Sequence, residues 1–348
     1  MRALTAEPGK SESVRIDNVS EPQAEDGAIL VETLVVGVCG TDIEIMEGHY
    51  GWPPPGCSRL ILGHESLGRV LEAPPEASLA PGDLVVGIVR RPDPIPCSSC
   101  AAGEWDMCRN GLFTERGIKH RHGYCSERFR IEPEYAVRIP PHMERVGMLV
   151  EPASVIAKAW EHVERIGRRA RWEPSRALVT GAGPMGLLAT LMAIQRGLDV
   201  HVLDQVTQGP KPDLVRDIGA AYHIGTVADA SAGADVVIEC TGVGELVLEA
   251  MRHTAPGGVV CLTGISAGKR EISVDAAALN RSMVLENDVV FGTVNANRRH
   301  YEAAVDALSQ ADPTWLDRLI TRRVSLDGWS SAFHKEPMGV KSVIEFSH

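Results

Sequence analysis

The stretch that most constrains this chain is Gly181-Ala182-Gly183-Pro184-Met185-Gly186, together with what flanks it. Ahead of it runs Ala177-Leu178-Val179-Thr180, a short apolar segment that reads as a strand. Behind it, residues 187–196 read as a helix and Val200-His201-Val202-Leu203 as a second strand, which ends in Asp204. Glycines at this spacing permit a tight turn and the close approach of a pyrophosphate, whose charge sits at the N-terminus of the following helix. Asp204 follows the first glycine by 23 residues, a position from which it can accept hydrogen bonds from adenosine ribose hydroxyls. A glycine-rich turn alone is common, and the competing reading is a tight turn with a surface Asp. The strand, turn, helix and acid in register favour the nucleotide. Further apolar strands at 235–239, 258–262 and 289–291 alternate with helical stretches, which predicts a parallel, doubly wound sheet.

This sheet occupies only part of the chain. At 348 residues the protein is too long for one comfortable core and suits two domains. Up to about residue 155 the texture differs: short strand-like runs, such as Ala28 through Val36 and Asp83 through Val89, are cut by Gly and Pro. Strands of that length and spacing predict an antiparallel, barrel-like domain. Residues 152–166 then read as a helix, with Val155, Ala159, His162 and Val163 on one face. The formal net charge is −11, which argues against a nucleic acid or an anionic membrane as partner. No apolar run approaches the ~18 residues that cross a bilayer, and the N-terminus lacks a signal peptide's apolar core. The expectation is a soluble, cytoplasmic protein.

The first domain carries a candidate metal centre. Gly63-His64-Glu65 ends an apolar run with an imidazole and a carboxylate side by side, groups that are costly to bury without partners. Alone, the pair reads as a cap or a surface turn. Cys39, in Gly37-Val38-Cys39-Gly40-Thr41-Asp42, and Glu151, in Leu149-Val150-Glu151-Pro152, each end another apolar run with a good ligand side chain. Cys39, His64, Glu65 and Glu151 exceed the three ligands of a typical catalytic zinc, so one of them, Glu65 being the first choice, binds in some states only or acts from beside the metal. Cys97, Cys100 and Cys108 lie in a Pro- and Gly-rich loop at C-x2-C-x7-C spacing, which suggests a structural zinc or, failing that, three free thiols. Asp93 is the nearest oxygen donor for a fourth ligand. Cys240 and Cys261, in apolar strands, read as inert core.

With these motifs in place, the chain resembles the zinc-dependent medium-chain dehydrogenase/reductase family over nearly its whole length. Within it the chain is most similar to the glucose dehydrogenase branch, through Val89-Arg90-Arg91-Pro92, Phe113-Thr114-Glu115-Arg116-Gly117-Ile118, His122-Gly123-Tyr124, Glu151-Pro152, Val294-Asn295 and Ile344-Glu345-Phe346. The resemblance implies a GroES-like catalytic domain over 1–155 and 297–348, and a Rossmann domain over 156–296. It implies zinc on Cys39, His64 and Glu151 with Glu65 close by, and Thr41 at the reacting hydroxyl or the nicotinamide ribose, helping to relay the proton. Glu115 and Asn295 would hydrogen-bond sugar hydroxyls. Gly181, Gly183, Pro184, Met185, Gly186, Asp204, Thr241, Gly242 and Asn295 would line the cofactor.

Three departures stand out. The cysteine loop lacks the family's first cysteine, with Asp93 near its place. Leu285-Glu286-Asn287 stands where relatives of this branch tend to carry a His. Asp204-Gln205-Val206 stands where NADP-preferring relatives place a small residue and arginines. The expected reaction is hydride transfer from an aldose hydroxyl to NAD, with NADP possible, giving a lactone, in a homodimer or homotetramer. A polyol or other secondary-alcohol dehydrogenase is the nearest alternative. A catalytically silent nucleotide-binding or sensor protein is the more distant one.

Overall fold

Two units divide the chain in the computed structural model, which describes residues 1–231, 233–266, 271–334 and 336–346. The first comprises Met1–Ser154, Asn295–Lys335 and Lys341–His348; the second comprises Val155–Val294 and Glu336–Val340.

The first unit is built on a seven-stranded sheet. Its strand order is Ala136–Ile139, Leu84–Gly87, Glu65–Glu72, Ile29–Val38, Lys341–Glu345 and Ile320–Ser325, with Arg128–Ile131 also pairing Ile29–Val38. Every neighbouring pair is antiparallel except the last, Ile320–Ser325 beside Lys341–Glu345. The central strand Ile29–Val38 alternates buried and half-buried residues at first, as a pleated strand with one face in the core does. Two three-stranded sheets complete the unit: Arg15–Asn18, Arg2–Ala6 and Leu60–Ile61 form one, and Arg90–Arg91, Thr114–Arg116 and His120–Arg121 the other. This is the antiparallel architecture that the Gly- and Pro-cut runs predict.

The second unit holds a six-stranded parallel sheet in the order Ala221–His223, Asp199–Leu203, Arg176–Thr180, Ala234–Glu239, Thr254–Leu262 and Val289–Gly292. That order is 3-2-1-4-5-6, the doubly wound dinucleotide topology. Its central strands are buried along most of their length, as strands of a parallel sheet are. Leu178, Leu203, Val237 and Val260 from four of them pack in one core with Val227, Ala230, Ala234 and Ala250. Helix Val150–Gly167 begins in the first unit and ends in the second. Among the described residues no helix is long and apolar enough to cross a membrane.

Candidate active site

Local sequence places the metal-centre residues. Cys39 has extended backbone and caps the seven-residue helix Gly40–Met46, so its side chain stands at the junction of the central strand and that helix. The Cys39 N–H donates to Asp42 Oδ2 at 2.8 Å, which fixes the first turn and puts Thr41 between them. Gly63 adopts a left-handed φ of +85°, and a Cβ there would press on Val36 and Cys125. This turn joins Leu60–Ile61 to Glu65–Glu72, so His64 sits in the link and Glu65 opens a strand rather than following one.

One ligand atom each from Cys39, His64 and Glu65 lies within 4.8 Å of the others. A thiolate, an imidazole and a carboxylate form a donor set that zinc takes readily. His64 Nδ1 and Asp42 Oδ1 are both buried, 3.5 Å apart, and neither has a hydrogen-bond partner. Burial works against a charged imidazole, but the Asp42 carboxylate and then Cys39 outweigh it, and the His64 pKa stands well above the usual histidine value. The converging thiol, imidazole and carboxylate fit a cation, which would displace the proton that Asp42 otherwise favours on His64.

Glu151, expected as a ligand, is not one of the three that converge. It lies on the first turn of Val150–Gly167, and burial, aided by the Glu65 charge and opposed by that of His64, pushes its carboxyl up to about 7. It senses the centre without reaching the trio. Lys341 is a member of this centre that sequence reasoning missed. This buried lysine donates to Glu65 Oε1 at 2.6 Å and to the Val38 carbonyl at 3.0 Å. Its only sequence signal is a cation at the start of an apolar C-terminal strand.

Glu115 and Asn295, expected on substrate, meet directly in the first unit: Asn295 Nδ2 donates to Glu115 Oε1 at 2.7 Å. Asn295 has a left-handed φ of +62°, and its Oδ1 accepts the Ala296 N–H at 2.9 Å, so the amide orientation is held. Arg90 supplies two more bonds to the same Glu115 oxygen, at 3.1 and 3.0 Å, with Phe113 stacked 3.7 Å from its guanidinium. Arg90 is the second residue whose role the sequence left unassigned.

Cys97, Cys100 and Cys108 also converge within 4.8 Å. Cys97 caps the short helix Ser98–Ala101, and backbone N–H groups, that of Arg109 first, bring its thiol down to about 6. Asp93, expected as the fourth ligand, is not one of the three that converge, and its Oδ1 accepts the Ile95 N–H at 2.8 Å. Its Oδ2 is buried with no hydrogen-bond partner.

In the second unit the glycine turn has the form its motif requires. Gly181 has φ +90°, and a Cβ on Gly186 would run into the Gly181 carbonyl oxygen. Gly183 caps helix Pro184–Ile194 with open space around it, and Pro184 and Met185 form the first turn. Asp204 Oδ2 accepts the Ala182 N–H at 2.6 Å. Buried Glu239, unassigned from sequence, accepts the N–H of Thr241 at 2.7 Å and that of Gly242, whose φ is +66°, and so shapes that second turn.

This architecture defines a dehydrogenase class, and comparison with known proteins narrows it. Residues 25–141 match the family model for the alcohol dehydrogenase GroES-like domain, and residues 144–346 match that for the glucose dehydrogenase C-terminus. The chain is 38% identical to a glucose 1-dehydrogenase of Methanocella arvoryzae, with 99% of each chain covered, and 37% identical to one of Thermoproteus tenax at the same coverage. Its fold matches a Haloferax mediterranei glucose dehydrogenase solved in complex with NADP, Zn and gluconolactone, with TM-score 0.92, 33% identity and both chains covered in full. The chain belongs to the glucose dehydrogenase branch of the zinc-dependent medium-chain dehydrogenase/reductase family.

Proposed function

We propose that this protein is a zinc-dependent dehydrogenase that oxidises an aldose, glucose or a close relative, at its anomeric hydroxyl, passing the hydride to NAD or NADP and releasing a lactone. The observation that carries the reading is the convergence of Cys39, His64 and Glu65 in the same unit as the Glu115–Asn295 pair. It is supported by relatives of matching length that carry the name glucose 1-dehydrogenase. On this reading the unit of Met1–Ser154, Asn295–Lys335 and Lys341–His348 is the catalytic domain, and that of Val155–Val294 and Glu336–Val340 the nucleotide domain.

Zinc, when bound by Cys39, His64 and a carboxylate of Glu65 or Glu151, supplies the Lewis acid that polarises the substrate oxygen. A nicotinamide held by the glycine turn would supply the hydride acceptor. The rest is the work of side chains. Asp42 orients His64 from 3.5 Å. Thr41 Oγ1 would relay the proton of the reacting hydroxyl, accepting it while handing its own on to the nicotinamide ribose hydroxyl and so to solvent. Glu115 Oε1 is already engaged by Arg90 and Asn295, which leaves Oε2 to accept a sugar hydroxyl. Leaving that hydroxyl unpaired in a closed site would cost roughly 1–3 kcal/mol. Gly181, Gly183, Pro184, Met185 and Gly186 receive the pyrophosphate, and Asp204, Thr241 and Gly242 border the cofactor, with NAD preferred and NADP accommodated.

A structural zinc on Cys97, Cys100 and Cys108, with Asp93 or a water completing it, belongs to the same proposal. So does a cytoplasmic location, in keeping with eight cysteines that all stand as free thiols. A homo-oligomer is supported by the terminal strand Val289–Gly292 of the parallel sheet and by the adjoining helix Ala276–Glu286, which buries no residue and exposes Val284 and Leu285.

The test is a panel of sugars and polyols assayed with both NAD and NADP, with lactone detection. Turnover of an aldose to its lactone is expected. Turnover confined to polyols or simple alcohols would replace this reading with the polyol one, and no turnover in a zinc-replete preparation would refute it.

A further inference from the structure

Resting on the reading of a nicotinamide dehydrogenase, we infer that Lys211 is the residue that admits a 2′-phosphorylated cofactor to this chain. A 2′-phosphate carries close to two negative charges, and Asp204, at the ribose end of the site, would repel it. The residues that follow, Gln205, Val206, Thr207 and Gln208, are neutral. Compensation comes instead from the next helix, Pro210–Asp217, whose second residue is Lys211.

Gly209 takes a left-handed φ of +89° and turns the chain so that Lys211 Nζ lies 3.9 Å from Asp204 Oδ2. The two side chains are only 14% and 12% exposed. Asp204 is tied at both oxygens, Oδ2 by the Ala182 N–H at 2.6 Å and Oδ1 by the Val206 N–H at 2.9 Å. The Tyr222 hydroxyl donates to the Val206 carbonyl and holds that loop in turn. The carboxylate is therefore fixed, whereas a lysine ammonium rides on a flexible four-carbon stem. The other cation of this helix, Arg216, faces Asp213 and the Tyr222 ring.

Two states follow. With NAD, Lys211 stays on Asp204, and the carboxylate keeps lone pairs for the ribose hydroxyls. With NADP, Lys211 turns from Asp204 to the phosphate, which then meets a site of no net charge instead of a bare carboxylate. One residue thus relaxes a preference that Asp204 sets.

The test is binding, independent of turnover. NADH and NADPH are titrated by fluorescence, and ADP and 2′,5′-ADP by calorimetry, against the native chain, Lys211→Met, Lys211→Arg and Asp204→Ala. A charge-assisted contact of ordinary strength predicts that Lys211→Met lowers the NADPH-to-NADH affinity ratio by about tenfold or more. The 2′,5′-ADP-to-ADP ratio should fall in parallel. Lys211→Arg should keep both ratios near native, and Asp204→Ala should raise them. Ratios unchanged in Lys211→Met would overturn the inference, as would a native chain that binds NADH and no NADPH. A chain that binds neither would instead overturn the nicotinamide reading, and this inference with it.

Discussion

Lys341 Nζ lies 2.6 Å from Glu65 Oε1, although 276 residues separate the two in sequence. Both side chains are almost wholly buried, at 3% and 2% exposure. The contact arises because Lys341–Glu345 pairs antiparallel with the central strand Ile29–Val38, which brings Lys341 beside Val38 and Glu65. Removing one partner of a buried ion pair costs about 3–5 kcal/mol, since the other charge is left uncompensated. Lys341→Met should therefore lower the melting temperature of the zinc-free protein by ~5 °C or more. Added zinc should recover part of that loss by giving Glu65 another partner. A melting temperature equal to that of the native protein, without zinc, would show that Lys341 does not hold Glu65.

Glu115 should act on sugars far more than on simple alcohols. Glu115→Ala removes the acceptor for a sugar hydroxyl, and a loss of about tenfold or more in kcat/KM for aldoses is expected. A secondary alcohol lacking those hydroxyls should lose much less. Arg90→Met should reproduce the pattern in weaker form, because Arg90 positions the Glu115 carboxylate through two hydrogen bonds. Equal losses on both substrate types would assign Glu115 to folding or to the metal instead.

The cysteine loop gives a count. Metal analysis should return about two zincs per chain, one at each convergent group. With three thiolates and at most one oxygen ligand, the loop should release its zinc to a chelator before a four-thiolate site would. Cys108→Ser should reduce the count to about one and lower the melting temperature. A native count of one, with Cys108→Ser unchanged in stability, would remove this site.

Asp204→Ala should weaken discrimination between the two cofactors. At ~4 Å and an effective dielectric near 20, a carboxylate and one phosphate charge repel by roughly 4 kcal/mol, before Lys211 offsets part of it. The native kcat/KM should thus favour NAD modestly, and the variant should bring the ratio towards one or beyond. A native preference for NADP would contradict this, as would an NAD preference that survives the substitution.

What the sequence made legible was local. The glycine turn, the strands on either side of it and Asp204 lie within one short stretch, and the observed strands Arg176–Thr180 and Asp199–Leu203 extend the predicted ones by one residue each. Thr254–Leu262 begins four residues earlier than its apolar pattern, because an irregularity in its pairing with Ala234–Glu239 lets Thr254 join the ladder. Cys39 and His64 were legible because each interrupts an apolar run. Lys341 and Arg90 were not, since a lone cation near a strand ordinarily reads as exposed and only a distant carboxylate explains its burial. Asp93 shows the converse. Its position suggested a ligand, and the folded chain ties one oxygen to a backbone N–H two residues away while leaving the other buried without a hydrogen-bond partner, which no local pattern announces.

On the proposed reading, a zinc held through His64 drives aldose oxidation. The most direct measurement is NAD reduction by glucose in zinc-replete His64→Ala, with NADH binding followed by fluorescence in the same preparation. The glycine turn and Asp204 lie in the other unit, so the account predicts that turnover disappears while NADH binds with near-native affinity. Retention of most of the native turnover in His64→Ala would contradict the account.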